Sequence, residues 1–500
     1  MLDWFMSSIF HRLFRRAAPS PRWTPQQPTA STGDSHSATS GSLSPLRPAD
    51  AFDAACAVAG DCATARDFER AIESYEQAIA LQPKRAEPYF KRANALRSLG
   101  RLEEALAGYD RAIEQQANYA HAYCNRGVVL QRLGRMEAAL ESYDRAIDLD
   151  ATDFMVHYNR ALLAQGCSRW NDALASYDRA IELNPQFADA QYNRSMAQLF
   201  LGDFESGWRG YEWRWVNAQR LGIGNARAFV GPGWRGEESV AGKRLLLYSE
   251  GGLGDTLQFC RYAVSCAELG AGVILEVQEA LRELLKGLPG VSHVLSIGSP
   301  LPSFDFHCPL LSLPLAFKTT LDTVPFPTAY LRANPIKVAQ WRERLGERRH
   351  PRVGLVWSGN PNNPIDARRS VHLADWLARL PTGFEYFRLQ TQVRESDRAV
   401  LESNPQVVSL DDSLLDFDNT AALCGLMDVV VTVDTSLAHL AGALGRRTWV
   451  LLPQTPDYRW MRDRDDSPWY SSVKLYRQTT ADDWSGVFER VAADLRREFR

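Results

Sequence analysis

A period of 34 residues constrains the fold of this chain more than any other feature of its sequence. Segments of one pattern begin at residues 68, 102, 136 and 170, as in LEEALAGYDRAIEQQA at 102. Small and aromatic residues recur in three series: Ala71, Ala105, Ala139 and Ala173; Ala78, Ala112, Ala146 and Ala180; Tyr75, Tyr109, Tyr143 and Tyr177. Within each segment these residues follow helical spacing, and the alanines allow two helices to approach closely. The period therefore predicts stacked helix pairs.

This pattern resembles the tetratricopeptide family over residues 51–216. The resemblance implies an α solenoid whose concave face binds an extended peptide or a partner protein. Trp208, Trp213 and Trp215 lie near its end, where we expect bulky rings to pack against the next domain, with sugar stacking as the alternative.

Asparagines on the expected first helix of successive pairs are candidates for binding an acceptor protein: Asn94, Asn125, Asn159 and Asn193. An amide side chain both donates and accepts hydrogen bonds, so it can bind a polypeptide backbone without reading its sequence. The alternative is a bond within each repeat that fixes the turn.

Composition limits the remaining classes of function. The chain has 500 residues, of which 45% are hydrophobic, and a net charge of −3, which suits a soluble protein of two or three domains with no nucleic-acid partner. No apolar run is long enough to span a membrane. The 8 cysteines are scattered without a CxxC pair, which favours a reducing, cytoplasmic location.

The first 49 residues differ from the rest of the chain. Apolar residues at helical spacing within residues 1–16, with arginines nearby, predict a short amphipathic helix that contacts a membrane surface weakly. A targeting peptide and a frayed tail are the alternatives. The Ser-, Thr-, Pro- and Gly-rich remainder predicts disorder.

Beyond a predicted linker at residues 217–243, apolar β-rich runs alternate with helical patterns. The linker contains GPGWRG, which matches GxGxxG but follows no clear strand, so we do not interpret it as a dinucleotide site. The alternation predicts parallel sheets covered by helices. A proline-rich segment, Pro302 to Pro335, divides this half into residues 244–335 and 336–500. Two such parts enclose a cleft at the carboxyl ends of their strands.

A glycine turn follows the first of these strands in YSEGGLGDTLQF. It contains Gly251, Gly252 and Gly254 and ends at Asp255. The turn lacks the lysine of a P-loop and the spacing of a dinucleotide fingerprint. Asp255 either caps a helix expected from Thr256 to about Leu269 or has a chemical role.

GGLGDTLQF resembles the first-lobe motif of the bacterial ADP-heptose heptosyltransferases, a family of two-lobed, metal-independent GT-B glycosyltransferases. VTVDTSLAHLAGALG at 431 is similar to the second-lobe motif of that family, with Ser436 where glycine is usual. The resemblance covers residues 244–500 and implies two Rossmann-like lobes, the first facing the acceptor and the second binding a nucleotide-sugar. It also implies that Asp255 is the catalytic base of an inverting transfer.

The same resemblance implies a donor site in the second lobe. Hydroxyl groups and amides at a helix start bind phosphate, and arginines pair with it. The residues concerned are Asp434, Thr435, Ser436, His439, Arg368, Arg369 and Ser370. Ordinary surface arginines are the alternative for Arg368 and Arg369. Asp463 and Asp465 match a metal-binding DxD motif, but we interpret them as a solvated charge run. We expect no metal and no cofactor, with the nucleotide-sugar as co-substrate.

Three functional hypotheses follow. The first is a glycosyltransferase that modifies a protein recruited by the repeats. A chain in which repeats are joined to a GT-B domain resembles the protein O-GlcNAc transferases and the flagellin glycosyltransferases. A flagellin-like acceptor is therefore its sharpest form. The second is an adaptor whose α/β half only binds a sugar or nucleotide. The third is an enzyme that acts on lipopolysaccharide or another glycan.

Overall fold

The computed structural model describes residues 47–221, 229–363, 365–410 and 416–499. The amphipathic helix predicted at residues 1–16 lies outside these ranges. The described residues form two compact units, which divide between Ala190 and Gln191. No helix in the described ranges combines the length and the apolar character needed to cross a membrane.

The first unit is built from consecutive α-helices. Its first helix begins at Pro48, inside the segment predicted as a tail. The helices are α1 (Pro48–Thr64), α2 (Phe68–Leu81), α3 (Ala86–Ser98), α4 (Leu102–Gln115), α5 (Ala120–Arg132), α6 (Met136–Leu149), α7 (Phe154–Gly166), α8 (Trp170–Leu183) and α9 (Ala188–Leu201), of which α9 continues into the second unit.

The residues that repeat in the sequence form the core of these helices. The eight alanines of the two repeated series are fully buried, and the side chains of Tyr109, Tyr143 and Tyr177 are also 0% exposed. Gly127 allows close helix approach, since a Cβ there would lie 2.7 Å from the Tyr143 ring. Gly100 and Gly134 follow α3 and α5 with φ near +79° and +77°, a conformation that favours glycine. The predicted helical solenoid is thus confirmed.

Two helices precede the sheets in the second unit, namely α10 (Phe204–Tyr211) and α11 (Arg214–Leu221). Trp208 is only 2% exposed. Its ring centroid lies 6.0 Å from the rings of Phe259 and Tyr458 and 6.2 Å from that of Trp469. This aromatic packing joins α10 to the sheet-containing part of the unit, as expected for a tryptophan that packs against a neighbouring domain.

Within the described ranges, ten strands form two wholly parallel sheets. The first sheet has the order β3-β2-β1-β4 and the second the order β10-β9-β8-β5-β6-β7. The strands are β1 (Arg244–Tyr248), β2 (Gly272–Val277), β3 (Val291–Ser296), β4 (Phe306–Pro309), β5 (Arg352–Val356), β6 (Glu385–Arg388), β7 (Val407–Val408), β8 (Val429–Val433), β9 (Thr448–Leu452) and β10 (Val473–Arg477). Parallel strands joined through helices are the expected α/β arrangement.

The α-helices associated with the sheets are α12 (Leu253–Phe259), α13 (Arg261–Glu268), α14 (Glu279–Leu285), α15 (Leu313–Ala316), α16 (Pro335–Leu345), α17 (Asp366–Arg369), α18 (Leu373–Leu377), α19 (Glu395–Glu402), α20 (Phe417–Cys424), α21 (Ser436–Ala443) and α22 (Ser485–Glu498). Short 3-10 helices lie at Leu310–Ser312, Leu321–Thr323 and Tyr458–Trp460. The apolar residues of β5, β8 and β9 are buried, which explains their nearly continuous hydrophobic sequences.

Two segments differ from the sequence-based expectation. The proline-rich divider contains β4, whose Phe306 pairs with Leu245 of β1, so part of the divider belongs to the first sheet. The predicted linker also packs there: Trp234 is 3% exposed, and its backbone N–H donates to the His307 carbonyl at 2.8 Å. GPGWRG thus extends the edge of the first sheet.

Candidate functional site

A cavity of about 600 Å³ lies between the first and second sheets. Gly252, Gly254 and Asp255 line it from the turn that follows β1. The opposite wall comes from segments that follow the carboxyl ends of β5, β6, β8 and β9. The carboxyl ends of parallel strands are the usual ligand-binding edge of α/β folds. The structure therefore brings the glycine turn and the segment after β8 to one cavity.

Asp255 is the third residue of α12, and Gly252 rather than Asp255 is the N-cap. The helix begins at Leu253, so the prediction of a helix starting at Thr256 was wrong, and the predicted helix is divided at Cys260 into α12 and α13. The Asp255 Oδ2 accepts a hydrogen bond of 2.6 Å from the Gly252 N–H. The carboxylate thus stabilises the turn while it faces the cavity.

The glycines of the turn have separate steric roles. A Cβ at Gly251 would collide with the Asp255 carboxylate, although Gly251 itself does not line the cavity. A Cβ at Gly254 would lie 2.9 Å from Cδ2 of His439, on the helix after β8. Absence of a side chain at Gly254 therefore allows α12 to approach α21.

Arg459 connects the two walls of the cavity. Its Nη2 donates to Asp255 Oδ1 at 2.5 Å and its Nε to Gln258 Oε1 at 2.7 Å, both on α12. Its Nη1 donates to Asp457 Oδ1 at 2.8 Å. Burial lowers the pKa of Arg459, but Asp457 and other neighbours outweigh this effect and raise that pKa well above its ordinary value. The guanidinium therefore stays charged.

The segment after β8 provides a helix start at the cavity. Thr435 is the N-cap of α21, and its Oγ1 accepts from the Leu437 N–H at 3.3 Å. Ser436 is the first residue of the helix and lines the cavity. Free amide groups and the positive end of the helix dipole favour an anion at this position.

His439 is buried one turn farther along α21, at 5% exposure. Its Nδ1 lies 3.0 Å from the Tyr470 hydroxyl, and its ring stacks on Trp460 with centroids 5.4 Å apart. Burial, and then the charges of Arg459, Arg261 and Arg369, lower the pKa of His439 well below its ordinary value. His439 is thus neutral near pH 7 and can offer one N–H or one lone pair, but no full charge.

Asp434 is the third cavity residue with a perturbed pKa, after Arg459 and His439. It is 9% exposed. Burial, and then the neighbouring Asp457, raise the pKa of Asp434 to about 6, while Arg369 acts in the opposite direction. A carboxyl group with a raised pKa in a cleft is typical of functional sites, although structural networks produce the same shift.

The three residues predicted as a phosphate-pairing fork separate in the structure. Arg369 lines the cavity, whereas Arg368 and Ser370 do not. Arg369 Nε donates to Asp366 Oδ1 at 3.3 Å. Ser370 is buried and donates to Asp366 Oδ2 at 3.2 Å, and its hydroxyl accepts from the Gly359 N–H. Ser370 therefore orders the loop after β5, and Arg369 is the member placed to contact a ligand.

Asp463 and Asp465 are exposed and do not line the cavity. Asp463 pairs with the adjacent Arg462. In the described part of the chain, no group of three or more histidine, cysteine, aspartate or glutamate side chains is arranged to hold a metal ion.

The asparagines of the repeats bond largely to the protein itself. Asn94 Oδ1 accepts from the Tyr109 hydroxyl at 2.6 Å and from Asn125 Nδ2 at 2.8 Å. Asn159 hydrogen-bonds the side chain of Cys124, and Asn193 is 1% exposed. Asn94 also precedes Asn125 by 31 residues rather than 34, so it is one helical turn out of the series. Only the bond from Tyr109 lies within one helix pair, as the structural alternative expects, whereas the bonds of Asn125 and Asn159 join neighbouring pairs. Asn125 and Asn159 are half-exposed.

Arg459 and Asp457 were not predicted from the sequence. They lie in PQTPDYRW, a polar segment without a recognisable motif. Their position could have identified them as candidates, because they follow the buried strand β9 at the ligand-binding edge of a parallel sheet.

Comparison with known proteins identifies the repeats. Models described as TPR repeat match residues 67–96 and 93–134, and models described as Tetratricopeptide repeat match residues 120–153 and 158–206. Protein FlbA of Caulobacter vibrioides is 28% identical over 330 residues, which covers 60% of this chain and 53% of that protein. This chain thus spans about half the length of that curated relative.

Solved structures of repeat proteins are also similar. MamA from Desulfovibrio magneticus RS-1 is 16% identical, with a TM-score of 0.31 over 35% of this chain and 96% of that one. YrrB, described as a TPR protein with an unusual peptide-binding site, is 21% identical, with a TM-score of 0.30 over 34% of this chain and 94% of that one. From the family models and the helix pairs, this chain carries tetratricopeptide repeats between residues 67 and 206.

Proposed function

We propose that the α/β half is a GT-B glycosyltransferase that moves a sugar from a nucleotide-activated donor to a protein bound by the repeats. One observation carries the proposal: Asp255 faces the same cavity as the helix start at Thr435 and Ser436. A cavity of about 600 Å³ is large enough for a nucleotide-sized ligand. The motif resemblance supplies the reaction class, and tetratricopeptide repeats supply a protein-binding element.

The donor would bind with its phosphates close to Arg369, Arg459 and the start of α21, which all line the cavity. Arginine pairs with phosphate through two parallel hydrogen bonds, and amides at a helix start add to this attraction. Neutral His439 would donate to a phosphate or a sugar hydroxyl.

In this mechanism Asp255 accepts the proton of the acceptor hydroxyl while the oxygen attacks the anomeric carbon. The bond from that carbon to the donor phosphate breaks, and the phosphate leaves with the electron pair toward Arg369 and Arg459. The configuration at the anomeric carbon is inverted. A flagellin-like protein is the sharpest candidate acceptor.

A second function is favoured by a specific observation. Both oxygens of Asp255 have hydrogen-bond partners, Arg459 on Oδ1 and the Gly252 N–H on Oδ2. A carboxylate engaged in this way suits a site that binds a nucleotide or sugar without catalysis, in which case the protein is an adaptor.

The test is transfer by the full-length protein. Purified protein is incubated with labelled nucleotide-sugars, one at a time, and with bacterial lysate or purified flagellin. We expect one labelled protein band, unaffected by EDTA because arginines and helix amides bind the phosphates. Label in a glycan instead would indicate the lipopolysaccharide-type enzyme. Donor binding without any transfer would indicate the adaptor.

Asp255→Asn is the decisive variant. Asparagine has nearly the same shape, so the variant should fold and still bind the donor. Loss of the general base should lower transfer by about 10²- to 10⁴-fold. Asp463→Asn, which changes an exposed carboxylate in the same manner, should transfer at the wild-type rate. If Asp255→Asn also does so, Asp255 is not the base.

A further inference from the structure

Arg459 donates a hydrogen bond to Asp255, the proposed base, and belongs to the opposite wall of the cavity. Its side chain is 11% exposed and uses all three nitrogens, for Asp255, Gln258 and Asp457. Its ring contacts fix it further, with the guanidinium carbon 4.5 Å from the Tyr458 centroid and 5.8 Å from that of Phe259. The guanidinium is therefore anchored at two points besides Asp255.

The bond between Asp255 and Arg459 occupies groups that a reaction would need. The Asp255 side chain is 28% exposed and both residues line the cavity, so a ligand can reach the pair. A phosphate is a strong competitor for the guanidinium, because it offers more oxygens and more negative charge than one carboxylate. The charge of Arg369 and the start of α21 draw an anion toward the same wall.

We propose that a diphosphate-bearing ligand displaces the Asp255 carboxylate from Arg459 and thereby frees Asp255 for its acceptor. Nη2 exchanges Asp255 Oδ1 for a phosphate oxygen, while Nε and Nη1 keep Gln258 and Asp457. Asp255 Oδ2 keeps the Gly252 N–H, so the carboxylate stays in place. Oδ1 is then open to the acceptor hydroxyl. No covalent bond changes in this exchange. Arg459 is thus a positioning residue that couples donor binding to exposure of the base.

The identity of Asp255 as a base rests on the proposed function, but the exchange is measurable by binding alone. Competition predicts that removal of the Asp255 charge strengthens diphosphate binding only where Arg459 is present. A general electrostatic effect predicts the same gain whether Arg459 is present or not. A double-mutant cycle separates the two.

The experiment is calorimetric titration of the full-length protein with pyrophosphate. Asp255→Asn should bind about 3- to 10-fold more tightly than wild type, and Arg459→Gln about tenfold or more weakly, as expected for loss of a charged hydrogen bond. In the double variant, Asp255→Asn should change affinity by less than about twofold. The matched controls are Asp463→Asn and Arg462→Gln, an exposed ion pair in the same segment as Arg459, and neither should alter affinity.

Equal strengthening by Asp255→Asn in both backgrounds would overturn the exchange, and so would an absence of pyrophosphate binding to the wild type. If Arg459→Gln fails to fold by circular dichroism, Arg459→Lys replaces it. Lysine keeps the charge but lacks the parallel N–H donors of a guanidinium. The increase in pyrophosphate affinity caused by Asp255→Asn should therefore also be smaller in the Arg459→Lys background. An undiminished gain would overturn the proposal. If the double-mutant cycle gives the expected pyrophosphate affinities but no sugar is transferred, the exchange stands and only the proposed function is contradicted.

Discussion

Asp434 is an acidic side chain in a cavity that we propose to bind an anion. The groups around Asp434 reduce the repulsion that its carboxyl group would exert on a bound anion. Burial and Asp457 raise the pKa of Asp434 from its ordinary value of 3.8 to about 6, so the carboxyl group is partly neutral in mildly acidic solution. The ionised form has Arg369 nearby as a compensating charge. Asp434 therefore makes the stability of the protein sensitive to pH.

The sign of this pH dependence follows from linkage. Between the unfolded and folded pKa values, the folded protein binds more protons than the unfolded chain, so the Asp434 contribution to the free energy of unfolding falls as pH rises. Asp434→Asn removes this loss. The stability advantage of the variant over wild type should grow by about 1–2 kcal/mol from about pH 5 to about pH 7.5.

Urea unfolding of both proteins measures this difference. The opposite contribution of His439, which is buried as the neutral form, is common to both proteins and cancels. Asp463→Asn, on an exposed side chain, should show no such trend. A constant difference between Asp434→Asn and wild type across this pH range would mean that the pKa of Asp434 is not raised.

The sequence pointed to some residues of the candidate site but not to others. Asp255, Thr435 and Ser436 were identified because each stands where a strand leads into a helix, a relation visible along the chain. Arg459 and Asp457 were missed because their role depends on contacts with Asp255 and Gln258, about 200 residues away. Asn94 does not share the 34-residue spacing of Asn125, Asn159 and Asn193, because it precedes Asn125 by 31 residues.

At the scale of elements, the approach of α12 to α21 forms one end of the cavity. The two helices follow strands of different sheets. Gly254 has no side chain at the contact, and Ser436 Cα and His439 lie against it. Such an approach requires a small residue, since added atoms in a packed contact force neighbouring groups apart.

Gly254→Ala should therefore destabilise the protein by about 1–3 kcal/mol, even though alanine favours helices more than glycine does. Thermal or urea unfolding provides the measurement. Gly287→Ala is the matched control, because a Cβ at Gly287 meets no atom within 4 Å. Its effect should stay within about 0.5 kcal/mol. A Gly254→Ala protein as stable as this control would show that α12 and α21 are not tightly packed.

Elements were predicted best where local pattern decides the structure. Four of the repeat helices, α2, α4, α6 and α8, follow from two alanines and one tyrosine that lie within the same helix. The division between α12 and α13 could not be predicted from local pattern. Arg261, at the break, donates to the Gln258 carbonyl and to that of the distant Trp469, both at 2.8 Å. β4 was overlooked since its short, proline-flanked sequence becomes a strand only by pairing with β1.

At the scale of the whole molecule, a tetratricopeptide repeat array and an α/β part with a cavity occur in one chain. The repeat sequence does not identify an acceptor, because the residues that recur most regularly are buried alanines and tyrosines that pack the helices together. The half-exposed amides of Asn125 and Asn159 remain the candidates for backbone recognition, but Asn125 also links two repeats through Asn94. Any test must therefore separate loss of recognition from loss of stability.

The double variant Asn125→Ala, Asn159→Ala in the full-length protein makes this separation. Loss of these amides should cost about 1 kcal/mol of stability per hydrogen bond, too little to unfold the repeats. Protein labelling from the nucleotide-sugar should fall by about tenfold or more, because acceptor binding is weakened by at least one hydrogen bond. Hydrolysis of the donor by water should be unchanged, because the cavity is intact. Asn118→Ala with Asn171→Ala, two exposed asparagines of the same repeats, is the control and should retain full labelling. Full labelling by a folded Asn125→Ala, Asn159→Ala protein would mean that these amides serve only to join the repeats.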